Sequence, residues 1–365
     1  MRKLLVGLVA VAALGVTGLS GVARAAVACG DTITQNTVLD ADVGPCPFGG
    51  GWGIKVGADN VTLDLNGHTV SGTSVVVPSE GAGVYVYRRT GVTVKNGTVR
   101  WFDGGVIIEG GSANTVTGVT ARDNIGLVGT TKYADGIAIL SSVNNQIVNN
   151  QAVHNGPLSG IAIYSRVDSE HARDTSGAST GNLIDHNRVI DSTPARSPSI
   201  NDNDGIRIET QSELNTISYN TVSGSGLDGI SIFSFTPNNT VRYNTVYNNG
   251  FLNPFRRRGD GIRVFGGSSN TTVQFNQAYG NAANGIIFHG VFNTPSGPRP
   301  PVTNSRATDN SAVGNAVLPP IEMSELGGPV YDLLDGQPTC DNNVWLRNRY
   351  HTASPDCTKA AGQQV

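Results

Sequence analysis

The chain has 365 residues with 25 Lys and Arg against 28 Asp and Glu, a formal net charge of −3 that argues against a nucleic-acid partner. Its 47 glycines punctuate short β-branched runs, which points to strands and turns and away from helices. Beyond the first 25 residues no stretch is apolar enough to span a bilayer.

In chain order, Met1 to Ala25 has a basic start (Arg2, Lys3), an apolar run from Leu4 to about Val22, and Ala23-Arg24-Ala25 as a small-residue cleavage site. This is the pattern of a secretory signal peptide. Its removal leaves 340 residues with 22 basic against 28 acidic side chains, and a secreted, extracellular protein is expected. Ala26-Val27-Ala28-Cys29 also fits lipoprotein attachment at Cys29.

Four cysteines remain, Cys29/Cys46 and Cys340/Cys357, each pair separated by 17 residues and placed at one end of the mature chain. In an oxidising compartment they read as two local disulfides, because no CxxC is present and no His clusters around either pair. The expected organisation is an N-terminal cap over 26–51, a repeat body over 52–315 and a C-terminal cap and tail over 316–365.

The winding begins with Asn60-Val-Thr-Leu63-Asp-Leu65-Asn66-Gly67-His68, where His68 beside the Asn-Gly turn is read as structural. A second copy follows at Gly91-Val92-Thr-Val94-Lys-Asn96-Gly97. Gly105-Val106-Ile107-Ile108-Glu109, Asp135-Gly136-Ile137-Ala138-Ile139-Leu140 and Gly160-Ile161-Ala162-Ile163-Tyr164 start the main register. The clearest copies are Asp204-Gly-Ile-Arg207-Ile, Asp228-Gly-Ile-Ser231-Ile, Asp260-Gly-Ile-Arg263-Val and Asn284-Gly-Ile-Ile287-Phe, which start 24, 32 and 24 residues apart. About eleven residues into these units comes a companion, as in Asn215-Thr-Ile-Ser-Tyr219-Asn220-Thr-Val222. A fixed period of this length marks a solenoid.

Strand alternation puts the aliphatics of each unit on the inner face, where stacked coils form ladders of Ile and Val. Asn150, Asn187, Asn220, Asn244 and Asn276 share one repeat position, and stacked amides there satisfy a bend. Tyr219, Tyr243, Phe275 and His186 form a parallel column one residue earlier. The fold class is therefore all-β, a solenoid of roughly ten coils with disulfide-capped ends.

The DGIxI units, their NTIxxN companions and the opening VTLDLNGHTVSG resemble the right-handed parallel β-helix superfamily, of the secreted bacterial type. That superfamily includes pectate lyases, polygalacturonases, polyuronate C5-epimerases, phage tailspikes and a copper-enzyme maturation family. The likeness covers roughly residues 50–315 and implies a single-stranded right-handed parallel β-helix; activity differs among its members.

Candidate chemistry lies on the outward strand positions of the middle coils. Arg207, Glu209 and Arg263 are expected to face solvent beside Tyr164, Ser231, Phe233, Phe265 and His289. Aromatics stack on sugar rings and arginine recognises carboxylates, so an anionic polysaccharide is the expected partner. Insertions at 126–134, 192–203, 250–259, 165–180 and 291–301 would wall this face, bringing Lys132, Tyr133, Arg196, Arg256, Arg257 and Arg258 from one side. Asp168, Glu170, His171, Arg173 and Asp174 would come from the other.

The resemblance implies β-elimination with an Arg base and Ca²⁺ held by Glu209, or C5-epimerisation with His171 taking part. Either is preferred to glycoside hydrolysis, because the Gly-His-Gly and Arg-Ile-Lys motifs of polygalacturonases are absent and Asp204, Asp228 and Asp260 read as turn formers. Copper handling fits poorly, since Met323 is the one Met outside the leader. The alternative is a non-catalytic cell-surface or extracellular β-helix that holds glycan or serves as structure; on either reading a monomer is expected.

Overall fold

Each repeat folds as one turn of a parallel β-solenoid. The computed structural model describes residues 23–47, 49, 51–76, 78–126, 133–165, 177–192, 203–251, 259–290, 299–317 and 329–365. Among these there is no α-helix, and no helix is long and apolar enough to cross a membrane. The strands form a twelve-stranded parallel sheet, here the first sheet, and a 21-stranded parallel array. In that array one run passes through Gln146–Val148, Leu183–Asp185, Thr216–Ser218 and Thr240–Arg242. The other passes through Gln151–Val153, Arg188–Ile190, Thr221–Ser223 and Thr245–Tyr247. One coil thus supplies three short strands, and the winding is a right-handed parallel β-helix.

The first sheet has twelve strands where the sequence suggested roughly ten coils. The added ones come from end coils such as Asp31–Ile33 and Leu333–Asp335, which lack the DGI signature but pair in register with their neighbours.

The expected inward ladders are present. Ile206, Ile208, Ile230, Ile232, Ile262 and Val264 are fully buried in one core running the length of the solenoid. The glycine of each unit faces the same interior. A Cβ on Gly205 would lie 2.3 Å from Val222 Cγ1 and 2.5 Å from the carbonyl oxygen of Gly229, so only glycine fits this approach.

Asn150, Asn187, Asn220, Asn244 and Asn276 form the expected ladder, and it continues through Asn310 to Asn348. In each step one Asn donates from Nδ2 and its backbone N–H to Oδ1 of the next, as in the 3.0 Å and 2.9 Å contacts from Asn220 to Asn244. A second ladder, Asn114–Asn145–Asn182–Asn215–Asn239, lines another bend. His186, Tyr219, Tyr243 and Phe275 stack with ring centroids 4.9 Å apart at each step.

Both disulfides pair as expected, Cys29–Cys46 and Cys340–Cys357. The Cys29 sulfur is thereby bonded to Cys46, which leaves no thiol there for lipid attachment. The leader expected at 1–25 falls outside the described residues up to residue 22, while Ala23–Ala25 forms a strand paired with Thr37–Leu39.

Candidate functional site

The parallel register brings three outward columns of the first sheet into line. One runs Ala138, Ala162, Arg207, Ser231, Arg263 and Ile287. The next runs Leu140, Tyr164, Glu209 and Phe233, with Phe265 and His289 continuing it. The third holds Asp135, Ser159 and Asp204, followed by Asp228, Asp260 and Asn284. Because each glycine turns inward, the acid before it and the residue three positions on share the outer side. This explains the Asp204–Arg207 contact.

The solvent-facing environment expected for this strip is corrected by the structure. Arg207 is 2% exposed, Arg263 and Ser231 are fully buried, and Tyr164, Phe265 and His289 are buried as well. Only Glu209 and Phe233, among the predicted residues described, keep partial exposure. The physical reason is mutual satisfaction within the layer. Arg207 reaches Asp204 Oδ2 at 3.3 Å and Glu209 Oε2 at 3.0 Å, and its guanidinium lies 4.3 Å from the Phe233 ring. Arg263 reaches Asp228 Oδ2 at 3.4 Å, lies 4.1 Å from the Phe265 ring, and donates from Nε to His289 Nε2 at 2.8 Å. Since a guanidinium can only donate, His289 presents a lone pair at Nε2. Delocalised, weakly hydrated guanidinium groups tolerate such stacked and paired burial where ammonium groups do not.

Asp204, Asp228 and Asp260 are the residues that sequence reasoning passed over as turn formers. They are buried carboxyls in consecutive coils. In each, Oδ1 accepts the backbone N–H of the next coil's acid or amide, at 3.1, 3.0 and 2.9 Å. Oδ2 of Asp204 and Asp228 is left for an arginine. Burial, with Asp228 one coil away, pushes the Asp260 carboxyl up to about 7, against the opposing pull of Arg263 and Asn284. Further along, burial raises Asp135 well above the ordinary carboxylate range although the Tyr164 hydroxyl donates to it at 2.9 Å. Burial, then Asp135, raises Tyr164 in turn. The signal that would have found this set was available: an acid at one repeat position in three successive coils, twice followed by Arg three residues later.

Tyr133, from the expected wall, is buried and its N–H meets Asp103 Oδ2 at 3.3 Å. His171, Arg256, Arg257 and Arg258 lie outside the described residues, as do Lys132, Arg196, Asp168, Glu170, Arg173 and Asp174.

Solved structures similar to this chain share the fold. An alginate lyase from Paenibacillus sp. str. FPU-7 aligns at 18% identity with a TM-score of 0.55, over 80% of this chain and 90% of that one. DFA-IIIase from Arthrobacter chlorophenolicus A6 aligns at 13% identity with a TM-score of 0.50, over 89% and 76%. No curated protein sequence matches the chain. Residues 66–256, just over half of the chain, match the family described as periplasmic copper-binding protein (NosD), and the chain belongs to that family.

Proposed function

We propose that the chain is an extracytoplasmic, carbohydrate-active β-helix whose outward strip takes an acidic polysaccharide and moves a proton on it, as a polyuronate lyase or C5-epimerase. One observation carries this reading. Asp260, a buried carboxyl poised at about 7, shares its strand turn with Arg263, whose guanidinium is oriented by Asp228 and His289. Elimination and epimerisation both begin by removing the proton beside a uronate carboxylate. They require a proton acceptor active near neutral pH and a cation that stabilises the developing charge. Asp260 is assigned the first role and Arg263 the second; both are buried, so the polymer has to part the outer layer beside the partly exposed Glu209 and Phe233 to reach them. The leader, the paired cysteines and the periplasmic family description support a location outside the cytoplasm.

The metals implied by kinship do not fit the described residues. Calcium takes six to eight oxygens, whereas the Asp204 and Asp228 oxygens are engaged by backbone N–H groups and arginines. Copper favours sulfur and imidazole ligands, and all four cysteines are bonded to one another. Among the described residues no group of three or more His, Cys, Asp or Glu stands where it could hold a metal ion.

Incubation with pectate and alginate, followed by absorbance of unsaturated ends and by NMR of inverted C5 centres, tests the reading. The expected result is one of these products, lost by at least a hundredfold in Asp260→Asn with the polymer still bound. A wild-type protein that neither binds nor alters any acidic glycan sinks it. The adjacent carboxyls of Asp228 and Asp260 favour a second reading, hydrolysis by an acid–base pair. New reducing ends without unsaturation would decide for it.

A further inference from the structure

The first coil to carry the repeat is Trp52-Gly53-Ile54-Lys55-Val56, the DGIRI unit with Trp for Asp and Lys for Arg. Gly53 faces inward as Gly205 does, since a Cβ there would lie 2.9 Å from Val70 Cγ1 and from Phe102 Cζ. The register carries the correspondence through. Lys55 pairs with Tyr85, Tyr85 with Ile107, Ile107 with Ala138, Ala138 with Ala162, and Ala162 with Arg207. Lys55 thus stands in the column of Arg207 and Arg263, five coil steps or roughly 24 Å from Arg207. Between them Ile107, Ala138, Leu140 and Ala162 belong to a buried apolar cluster that Tyr85 packs against at one end and that includes Tyr164 at the other, so apolar side chains fill the distance between the two ends of the column.

The surroundings of Lys55 differ from those of the arginines. Its Nζ lies 4.8 Å from the Trp52 ring centroid and 5.6 Å from that of Tyr87. The Trp52 and Tyr85 rings stack at 6.2 Å, and Tyr85 and Tyr87 at 5.5 Å. All four side chains are half-buried, and the exposed Arg88 sits 5.1 Å from the Tyr87 ring. Trp52 Nε1 donates to the Gly30 carbonyl at 3.1 Å and the Tyr85 hydroxyl to Glu109 at 2.8 Å, so both rings are held in place before any ligand arrives. Among the described residues no carboxylate stands within ion-pairing distance of Lys55. An unpaired ammonium over a fixed aromatic floor, on an acidic protein, is complementary to a sugar ring bearing a carboxylate. The apolar C–H face of the ring covers the aromatics and the carboxylate meets the ammonium.

We propose that Trp52, Lys55, Tyr85 and Tyr87 form a second glycan-binding platform, separate from the strip, that anchors a uronate unit of an acidic polysaccharide. The test is tryptophan fluorescence during titration with oligogalacturonate and oligomannuronate, with cello-oligosaccharide as the neutral control. The wild type is expected to show a saturable change in emission with the acidic oligosaccharides alone. In Trp52→Phe the change disappears, and Lys55→Gln weakens the titration at least tenfold with the melting temperature unchanged. An emission change that survives in Trp52→Phe, a Lys55→Gln titration equal to wild type, or no response to either acidic oligosaccharide overturns the platform. The strip is judged separately by product formation. Turnover without a Trp52 response removes the platform alone, and a Trp52 response without turnover removes the enzymatic reading alone.

Discussion

At the scale of single residues, position in the unit decides what a side chain can be. Ile230 is inward and fully buried among aliphatics. Replacing it with Asp places an unpaired charge there, and Ile230→Asp is expected to cost several kcal/mol, read as a lowered urea midpoint. An unchanged midpoint would shift the register by one residue. Inwardness was legible because it follows from strand alternation alone. The acids were not, because Asp before Gly is also the composition of a turn, and only the stacked neighbours show that these carboxyls are buried. Asp260 tests that difference. Its folded carboxyl keeps a proton up to about 7, whereas the unfolded carboxyl releases it near 3.8. The folded state therefore binds more protons between these values, and its stability falls as pH rises through that window. Asp260→Asn keeps an oxygen for the Asn284 N–H, as Asn284 itself does for Tyr331. It is expected to remove this slope, gaining on wild type at pH 8 relative to pH 4 in urea titrations. Parallel pH profiles for the two proteins would refute the assignment.

At the scale of the element, the coil is held by two kinds of ladder that answer different needs. Strand backbone groups pair with the next coil, but the bends between strands leave polar groups that the Asn columns satisfy from inside. Asn220 illustrates the load: it donates to Asn244 Oδ1 and to the Ile184 carbonyl, and accepts both N–H groups of Asn187. Asn220→Ala leaves these buried partners unsatisfied and is expected to cost about 1–3 kcal/mol or more, measured by chemical denaturation. A loss within error would mean that water replaces the amide. The middle ladder was legible from recurrence at a fixed spacing. The Asn114-to-Asn239 ladder keeps the same spacing, with Asn145, Asn182, Asn215 and Asn239 each standing five residues before a member of the first, so its signal was in the sequence and went unread. The end coils were missed for another reason: without the DGI signature, pairing in register is a property of three dimensions.

At the scale of the whole molecule, the first sheet is a layered wall whose outer layer is as closely packed as its inner one over the middle coils. Read from the sequence, Arg207 and Arg263 are outward charges that solvent would accommodate, and removing both would then leave stability untouched. Their surroundings reverse that expectation. Each guanidinium is buried between a carboxylate of the DGI column and an aromatic ring of the next column, so each neutralises an acid that has little access to water. Breaking a buried pair from one side leaves the other charge uncompensated, which costs about 3–5 kcal/mol per pair. Arg207→Ala combined with Arg263→Ala is therefore expected to lower the melting temperature clearly at pH 7. The stacking on Phe233 and Phe265 goes with the arginines, so pairing and packing are lost together. A calorimetric melt at pH 7 measures the loss. If the double variant melts with the wild type at pH 7, the outer layer is a solvated face after all, and burial of Asp204 and Asp228 does not depend on the arginines.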